Sequence, residues 1–272
     1  MRRLAPLGLA VGALALASFA GAQDSSSPPD GLVVERVRLP RAPRVAAGDR
    51  ILTVVRVDLA RYRLAVLSSL RDGPPRPLDR WVADHHLAGG INAGMFLPNR
   101  RPVGTLVDRG EVLSDRNPGR FDGIIGWDPR GRAGPIAAGG AGCPAGRAGI
   151  LGRYASAVQG FRMMVDCQGR ARPWPTRRIY SAAAFGRDAD GRAVFLHTRT
   201  PYPMGVLNEM LVELRLGIRG LVYMEGGPEA SLVVRDGPHQ ITEMGSWEDG
   251  FWENDGNDRL WDLPTVIGFQ RR

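Results

Sequence analysis

Short apolar runs, each cut off within about eight residues by Gly, Pro, Asn or Asp, constrain this chain more than any other feature of it. Residues 51–58 and 62–68 alternate or run apolar around an Ala-Arg turn and read as a hairpin. Residues 81–87 read as a short helix. Further strands are expected at 90–96, 103–108, 111–114, 121–127, 158–165, 179–185 and 193–198. The clearest helix spans 206–216, where Leu207, Leu211 and Leu214 share one face, Met210 widens it, and Gly217 supplies the stop. That helix leads into a strand at 221–224, and another at 232–234 closes at the Asp236-Gly237 turn. Many strands with few helices predict an α+β fold: a strand-rich mixed sheet in a single domain.

The first segment reads differently. Residues 1–22 begin with Arg2 and Arg3, continue as an Ala-rich apolar core, and end in Ala20-Gly21-Ala22, the pattern of a cleaved secretory signal peptide. The core is too short and too rich in small residues for a comfortable transmembrane helix. No Cys marks a lipoprotein anchor, and an uncleaved signal anchor stays open. Residues 23–48, with Ser and Pro clustered at 24–30, are read as a flexible leader, and residues 49–272 as the domain. Export to the periplasm or the medium is therefore expected, with no membrane association after cleavage. Losing residues 1–22 removes two arginines and no acid, so the formal charge falls from +8 to +6. Every basic residue apart from the histidines is Arg. Such a surface favours anionic partners such as phosphorylated glycans. Nucleic acid is not expected, because the arginines are scattered and not interleaved with aromatics. Oligomeric state is not readable here. Cys143 and Cys167 are the only cysteines, and in an oxidising compartment the pair reads as one disulfide.

Chemistry is suggested at four places. The strand at 221–224 ends at Glu225, and Gly226-Gly227-Pro228 then turn the chain, so backbone N–H groups lie open beside a strand-end carboxylate. An ordinary hairpin turn with a solvated Glu fits the same residues. In the 90–96 segment Asn92 sits among small residues, where its amide could face a ligand or simply make a turn. Arg177 and Arg178 enter a strand and suit phosphate, although surface arginines would look the same. Residues 247–262 mix tryptophans with many acids. They could stack a sugar or hold calcium, but they lack the spacing of a calcium loop and read better as a solvated loop with buried tryptophans. His85, His86 and His197 lack matched ligand spacing and are taken as structural or exposed, so no metal site is expected. No Gly-x-Ser-x-Gly elbow is present.

Taken in order, Asn92-Ala93-Gly94-Met95-Phe96, Pro102-Val103-Gly104, Arg178 leading a strand, the 206–216 helix and Tyr223-Met224-Glu225-Gly226-Gly227-Pro228-Glu229-Ala230-Ser231 resemble the phosphodiester glycosidase family. Members usually carry Leu-Asp-Gly-Gly-Gly-Ser at the last motif. Here Glu225 stands at the Asp position and Pro228-Glu229 interrupt the glycine run. The resemblance implies hydrolysis of a sugar-1-phosphate phosphodiester in an envelope or exopolysaccharide glycan, with Glu225 as the acting carboxylate and Glu229 as a second. It further implies phosphate binding by Arg178 and substrate contacts from Asn92, Gly94, Gly226, Gly227 and Ser231. No cofactor is required by such chemistry, calcium remaining an open addition. A glycan- or envelope-binding protein that keeps the fold without catalysis is the alternative.

Overall fold

The computed structural model describes residues 1 and 31–272. Apart from Met1, the expected signal peptide at 1–22 lies outside the described residues. Three antiparallel sheets make up the domain. The largest is six-stranded, in the order β1 (Leu32–Arg38), β2 (Ile51–Val57), β12 (Ala193–Pro203), β11 (Ile179–Asp188), β13 (Ile218–Gly226), β10 (Met163–Val165). A second runs β15 (His239–Met244), β14 (Ser231–Asp236), β4 (Gly89–Asn92), β16 (Thr265–Arg271), β3 (Tyr62–Ser68). The third runs β6 (Glu111–Ser114), β5 (Leu106–Asp108), β9 (Tyr154–Gly160), β7 (Gly123–Pro129), β8 (Ile136–Gly140). The helices are α1 (Leu78–Asp84), α2 (Arg147–Arg153) and α3 (Met204–Glu213). The strand-rich α+β domain expected from the sequence is thus present. Among the described residues, no helix is long and apolar enough to cross a membrane.

Side-chain alternation explains why the central strands are apolar throughout. Ala182, Ala184, Val194, Leu196, Leu221 and Tyr223 pack with Leu207 and Leu211 of α3. Their neighbours Ala183, Phe185, Ala193, Phe195 and Val222 join a core shared by all three sheets. An aromatic relay runs through that core. Trp127 of β7 meets Phe185 at 5.8 Å, Phe185 meets Phe195 at 4.9 Å, and Phe195 meets Phe269 of β16 at 5.1 Å. Offset and edge-on ring contacts of this kind add to the stabilisation from buried area. The remaining helices seal the outer faces of the smaller sheets, α1 through Leu78, Trp81 and Val82, and α2 through Ile150.

Four local expectations need correction. The expected leader at 23–48 contains β1, whose Leu-Val-Val-Glu-Arg-Val-Arg run pairs with β2 from Leu32↔Val57 to Arg38↔Ile51 and covers what would otherwise be an open edge. Residues 51–58 and 62–68 form strands but not a hairpin: β2 lies between β1 and β12, whereas β3 pairs with β16. The run 158–165 breaks after Gly160, so that β9 and β10 serve different sheets. Finally, the strand expected at 90–96 stops at Asn92, and the chain leaves the sheet there.

Cys143, just past β8, and Cys167, just past β10, form the expected disulfide with a Cα–Cα distance of 5.0 Å. It therefore ties the third sheet to the first. The bond closes a loop of moderate size, with a sequence separation of 24. Replacing both cysteines by Ser is expected to lower unfolding free energy by about 3 kcal/mol in urea titrations, the loop-entropy value for such a bridge. A loss below about 1 kcal/mol would mean that the core alone holds these sheets in place.

Candidate active site

At the end of β13 the pairing with β11 slips: Ala184 faces Tyr223 and Ala183 faces Glu225, which leaves Met224 as the extra residue of a bulge. Bulges re-aim side chains, and here the alternation that buries Val222 and Tyr223 is broken just before Glu225. Gly226 continues extended, and Gly227 turns at φ +63°, a conformation that favours glycine. A single 3₁₀ turn, Gly227–Glu229, then delivers Glu229 before β14 begins at Ser231.

The corner is held from below. Asn92 Oδ1 accepts from the Ser231 N–H at 3.0 Å, strapping β4 to β14, and Ser231 Oγ donates to the Glu229 carbonyl at 3.0 Å. The N–H of Gly245 donates to the Ala230 carbonyl at 2.7 Å. His197 Nε2 lies 3.3 Å from the same carbonyl, which can only accept, so that nitrogen carries the proton. Burial lowers the His197 imidazole to about 4, keeping it neutral. Glycine is required by the packing as well. A Cβ on Gly245 would overlap the Gly227 carbonyl, and one on Gly226 would overlap the Tyr223 hydroxyl. A Cβ on Gly227 would come within 2.6 Å of Glu248 Oε2.

Glu248 is the carboxylate that sequence reasoning missed. It lies in the loop after β15, bridged to Tyr180 of β11 and to Trp252. Together with Glu225 and Glu229 it makes a half-buried acidic cluster. Burial pushes the Glu225 carboxyl well above the ordinary 4.5, and repulsion from Glu229 adds to this against the opposing Gly226 N–H, which donates to Glu225 Oε1 at 3.2 Å. Glu229 rises to about 7, again chiefly through burial and then through Glu248, with Arg100 pulling the other way. Glu248 is raised by burial and partly restored by Arg178. Tyr223, beneath them, is raised well above 10.0 by burial and by the neighbouring carboxylates, so its hydroxyl stays protonated. Like charges that share a desolvated site keep at least one proton among them at neutral pH.

Of the residues singled out in the sequence, Glu225, Glu229, Gly226 and Gly227 form the corner itself. Arg178 is exposed at its rim, where a Cβ on Gly250 would lie 2.5 Å from Arg178 Nη2. Asn92 and Ser231 are brought to the same corner but are buried at 1% and 0% exposure, where they brace it from within. The Asn92 Nδ2 has no partner among the described residues. Gly94 stands at φ +73°, where a Cβ would lie 3.2 Å from the Gln159 carbonyl on the neighbouring β9. Arg100 escaped notice because nothing in the sequence ties residue 100 to residue 229. The loop 247–262 contributes Glu248. Among the described residues, no group of three His, Cys, Asp or Glu side chains is arranged to hold a metal ion.

A sequence model of the phosphodiester glycosidases matches residues 85–270, a span that takes in every residue of the corner. Curated proteins give no significant match. Among solved structures the chain is similar to a hypothetical protein from Synechocystis, with a TM-score of 0.58 and 13% identity over 89% of this chain and 62% of that one. It is also similar to the catalytic domain of zebrafish N-acetylglucosamine-1-phosphodiester alpha-N-acetylglucosaminidase auto-inhibited by its pro-peptide, with a TM-score of 0.59 and 12% identity over 92% of this chain and 85% of that one. At such identities the likeness is one of fold. The chain spans 62% of the length of the Synechocystis protein.

Two measurements follow from the corner's geometry. Gly245→Ala forces a methyl into backbone and is expected to cost about 1–3 kcal/mol in urea unfolding, as overpacking of a tight site does; no loss would show that the corner can relax. The second concerns pH. Because Glu229 titrates at about 7 when folded and near 4.5 otherwise, the folded protein binds more protons between those values, and stability falls as pH rises through that window. Glu229→Gln removes the effect, so it should melt above the parent at about pH 8, with the gap closing at about pH 4. An equal gap at both ends would assign the change to packing.

Proposed function

The chain belongs to the phosphodiester glycosidase family, and from that premise we propose that it hydrolyses the bond between a sugar's anomeric carbon and phosphate in an envelope or exopolysaccharide glycan outside the cytoplasm. The observation that carries the reading is the Glu225–Glu229 corner, where burial and repulsion hold two neighbouring carboxyls above the ordinary carboxyl range. Neighbouring carboxyls that resist ionising together can serve as one acid and one base at the same pH.

Within the pair the proposed roles differ. Glu225, expected from the resemblance to act as the carboxylate, is pushed well above the ordinary carboxyl range by burial, and Glu229 rises to about 7. In the scheme proposed, Glu225 in its acid form donates a hydrogen bond to a phosphate oxygen, which a charged carboxylate would repel. Glu229, poised near neutrality, accepts a proton from water as the water oxygen bonds to the anomeric carbon and the carbon–oxygen bond to phosphate breaks. Phosphate leaves as a monoester and needs little further protonation. Arg178 and Arg100, at the rim, meet the phosphate charge, and Arg178 also opposes the upward push that burial gives Glu248. Asn92, Ser231 and His197 act as positioning residues beneath the corner. The extracellular placement draws support from the disulfide, which persists in oxidising compartments, and from the composition of residues 1–22.

A panel of methyl sugar-1-phosphodiesters tests the reading directly. The parent should release methyl phosphate, and Glu229→Gln should lower kcat by about 10²–10⁴-fold, the usual worth of a general base. The parent's kcat/KM should rise with pH through about 7, following ionisation of Glu229. Saturable binding with no turnover by the parent would instead make this a glycan-binding protein. Parent-like rates in both Glu225→Gln and Glu229→Gln would remove the pair from the mechanism.

A further inference from the structure

Beside the carboxylate corner lies a second feature, a groove of about 760 Å³ between α1, β15 and the loop after Asn257. Its walls present Arg80, Arg100 and Arg259 beside Asp79, Asp258 and Asp262, with Trp261 among them. Among the described residues none of these charged side chains forms a salt bridge. Arg100 donates to the Asp262 carbonyl at 3.0 Å and lies over the Phe96 ring, and Asp79 accepts from the Arg80 N–H, which leaves the Arg80 and Arg259 guanidiniums and the Asp258 and Asp262 carboxylates available to a ligand. Unpaired carboxylates accept from sugar hydroxyls, guanidiniums donate to hydroxyl or phosphate oxygens, and an indole offers an apolar face to a sugar ring.

The groove is joined to the corner in three ways. Arg100 lines it and also draws down the Glu229 carboxyl. Met244 lines it and is the β15 partner of Ser231 at the foot of the corner. Trp261 packs edge-on against Trp252 at 5.4 Å, and Trp252 exchanges both backbone hydrogen bonds with Glu248, at 2.8 and 2.9 Å. A further hydrogen bond, from Trp261 Nε1 to Asn257 Oδ1 at 3.1 Å, fixes the indole.

We propose that this groove binds the sugar chain leading to the scissile phosphodiester, so that the substrate is an oligosaccharide or polymer and not a single phosphorylated sugar. The proposal rests on the hydrolytic reading above for its link to turnover, but the groove's binding can be measured without turnover. The test compares hexasaccharides of glucose, mannose and N-acetylglucosamine, each bearing a methyl phosphodiester at its reducing-end anomeric carbon, with the matching monosaccharide phosphodiesters. For at least one sugar the parent should show kcat/KM greater by about tenfold or more for the hexasaccharide, equivalent to about 1.4 kcal/mol. Trp261→Ala and, independently, the surface variant Arg259→Ser should pull that ratio towards one, through KM. Folding of each variant is checked by its melting temperature. Hydrolysis with no length preference in the parent, or a preference unmoved by Arg259→Ser and by a folded Trp261→Ala, overturns the groove while leaving the hydrolytic reading intact. If no compound is hydrolysed, that reading falls, and calorimetric titration of the same hexasaccharides decides the groove. Saturable binding weakened about tenfold in the two variants upholds it, and absence of binding overturns it.

Discussion

Burial of both faces of β11, β12 and β13 is the constraint on which the rest of the molecule depends. One face is covered by α3 and the other meets the two smaller sheets through Trp127, Phe185, Phe195 and Phe269. With neither face exposed, these strands have no freedom to slip register, since a one-residue slip would exchange the two cores. A bulge at Met224 is then a fixed feature, and the residue that follows it is aimed with the rigidity of the sheet behind it. The carboxylate corner is therefore built at the end of a fully buried strand, just beyond its bulge.

The same packing accounts for the corner's electrostatics. Glu225, Glu229 and Glu248 would separate if the chain allowed it, because their desolvation and mutual repulsion oppose folding. What prevents separation is a set of short-range contacts around three glycines. Gly226 is pressed against Tyr223, Gly227 against Glu248, and Gly245 against the Gly227 carbonyl. None of these positions has room for a methyl group. The Asn92–Ser231 strap and the neutral His197 satisfy the Ser231 N–H and the Ala230 carbonyl below, so the acids stand on a floor of paired backbone groups. Strain held by surrounding structure at one spot is a common property of sites that act on protons.

Which parts of this were legible in the sequence follows from the range of the interactions. Strands β2, β3, β6 and β14 and helix α3 could be read because each depends on its own periodicity and on a nearby breaker such as Gly217 or Asp236-Gly237. Partners could not. The turn between Val57 and Tyr62 looks like a hairpin locally, yet β2 is taken by β1 and β12, and β3 by β16 at the far end of the chain. The motif around Glu225 stood out, and so did Asn92, but as a ligand-facing amide and not as the strap it forms. Glu248 was hidden among acids in a loop that looked solvated. Its relation to Glu229 arises only when β15 returns the chain alongside β14.

That loop also belongs to the carboxylate corner. Trp252 bonds to Glu248 through its backbone and to Trp261 through its ring, so the wall of the groove and one of the three carboxylates belong to a single packed segment. The mixture of tryptophan and acid at 247–262, which in the sequence reads as a solvated loop with buried tryptophans, acquires a physical reason: the aromatic residues pack the loop together, and Glu248 at its start belongs to that packed segment.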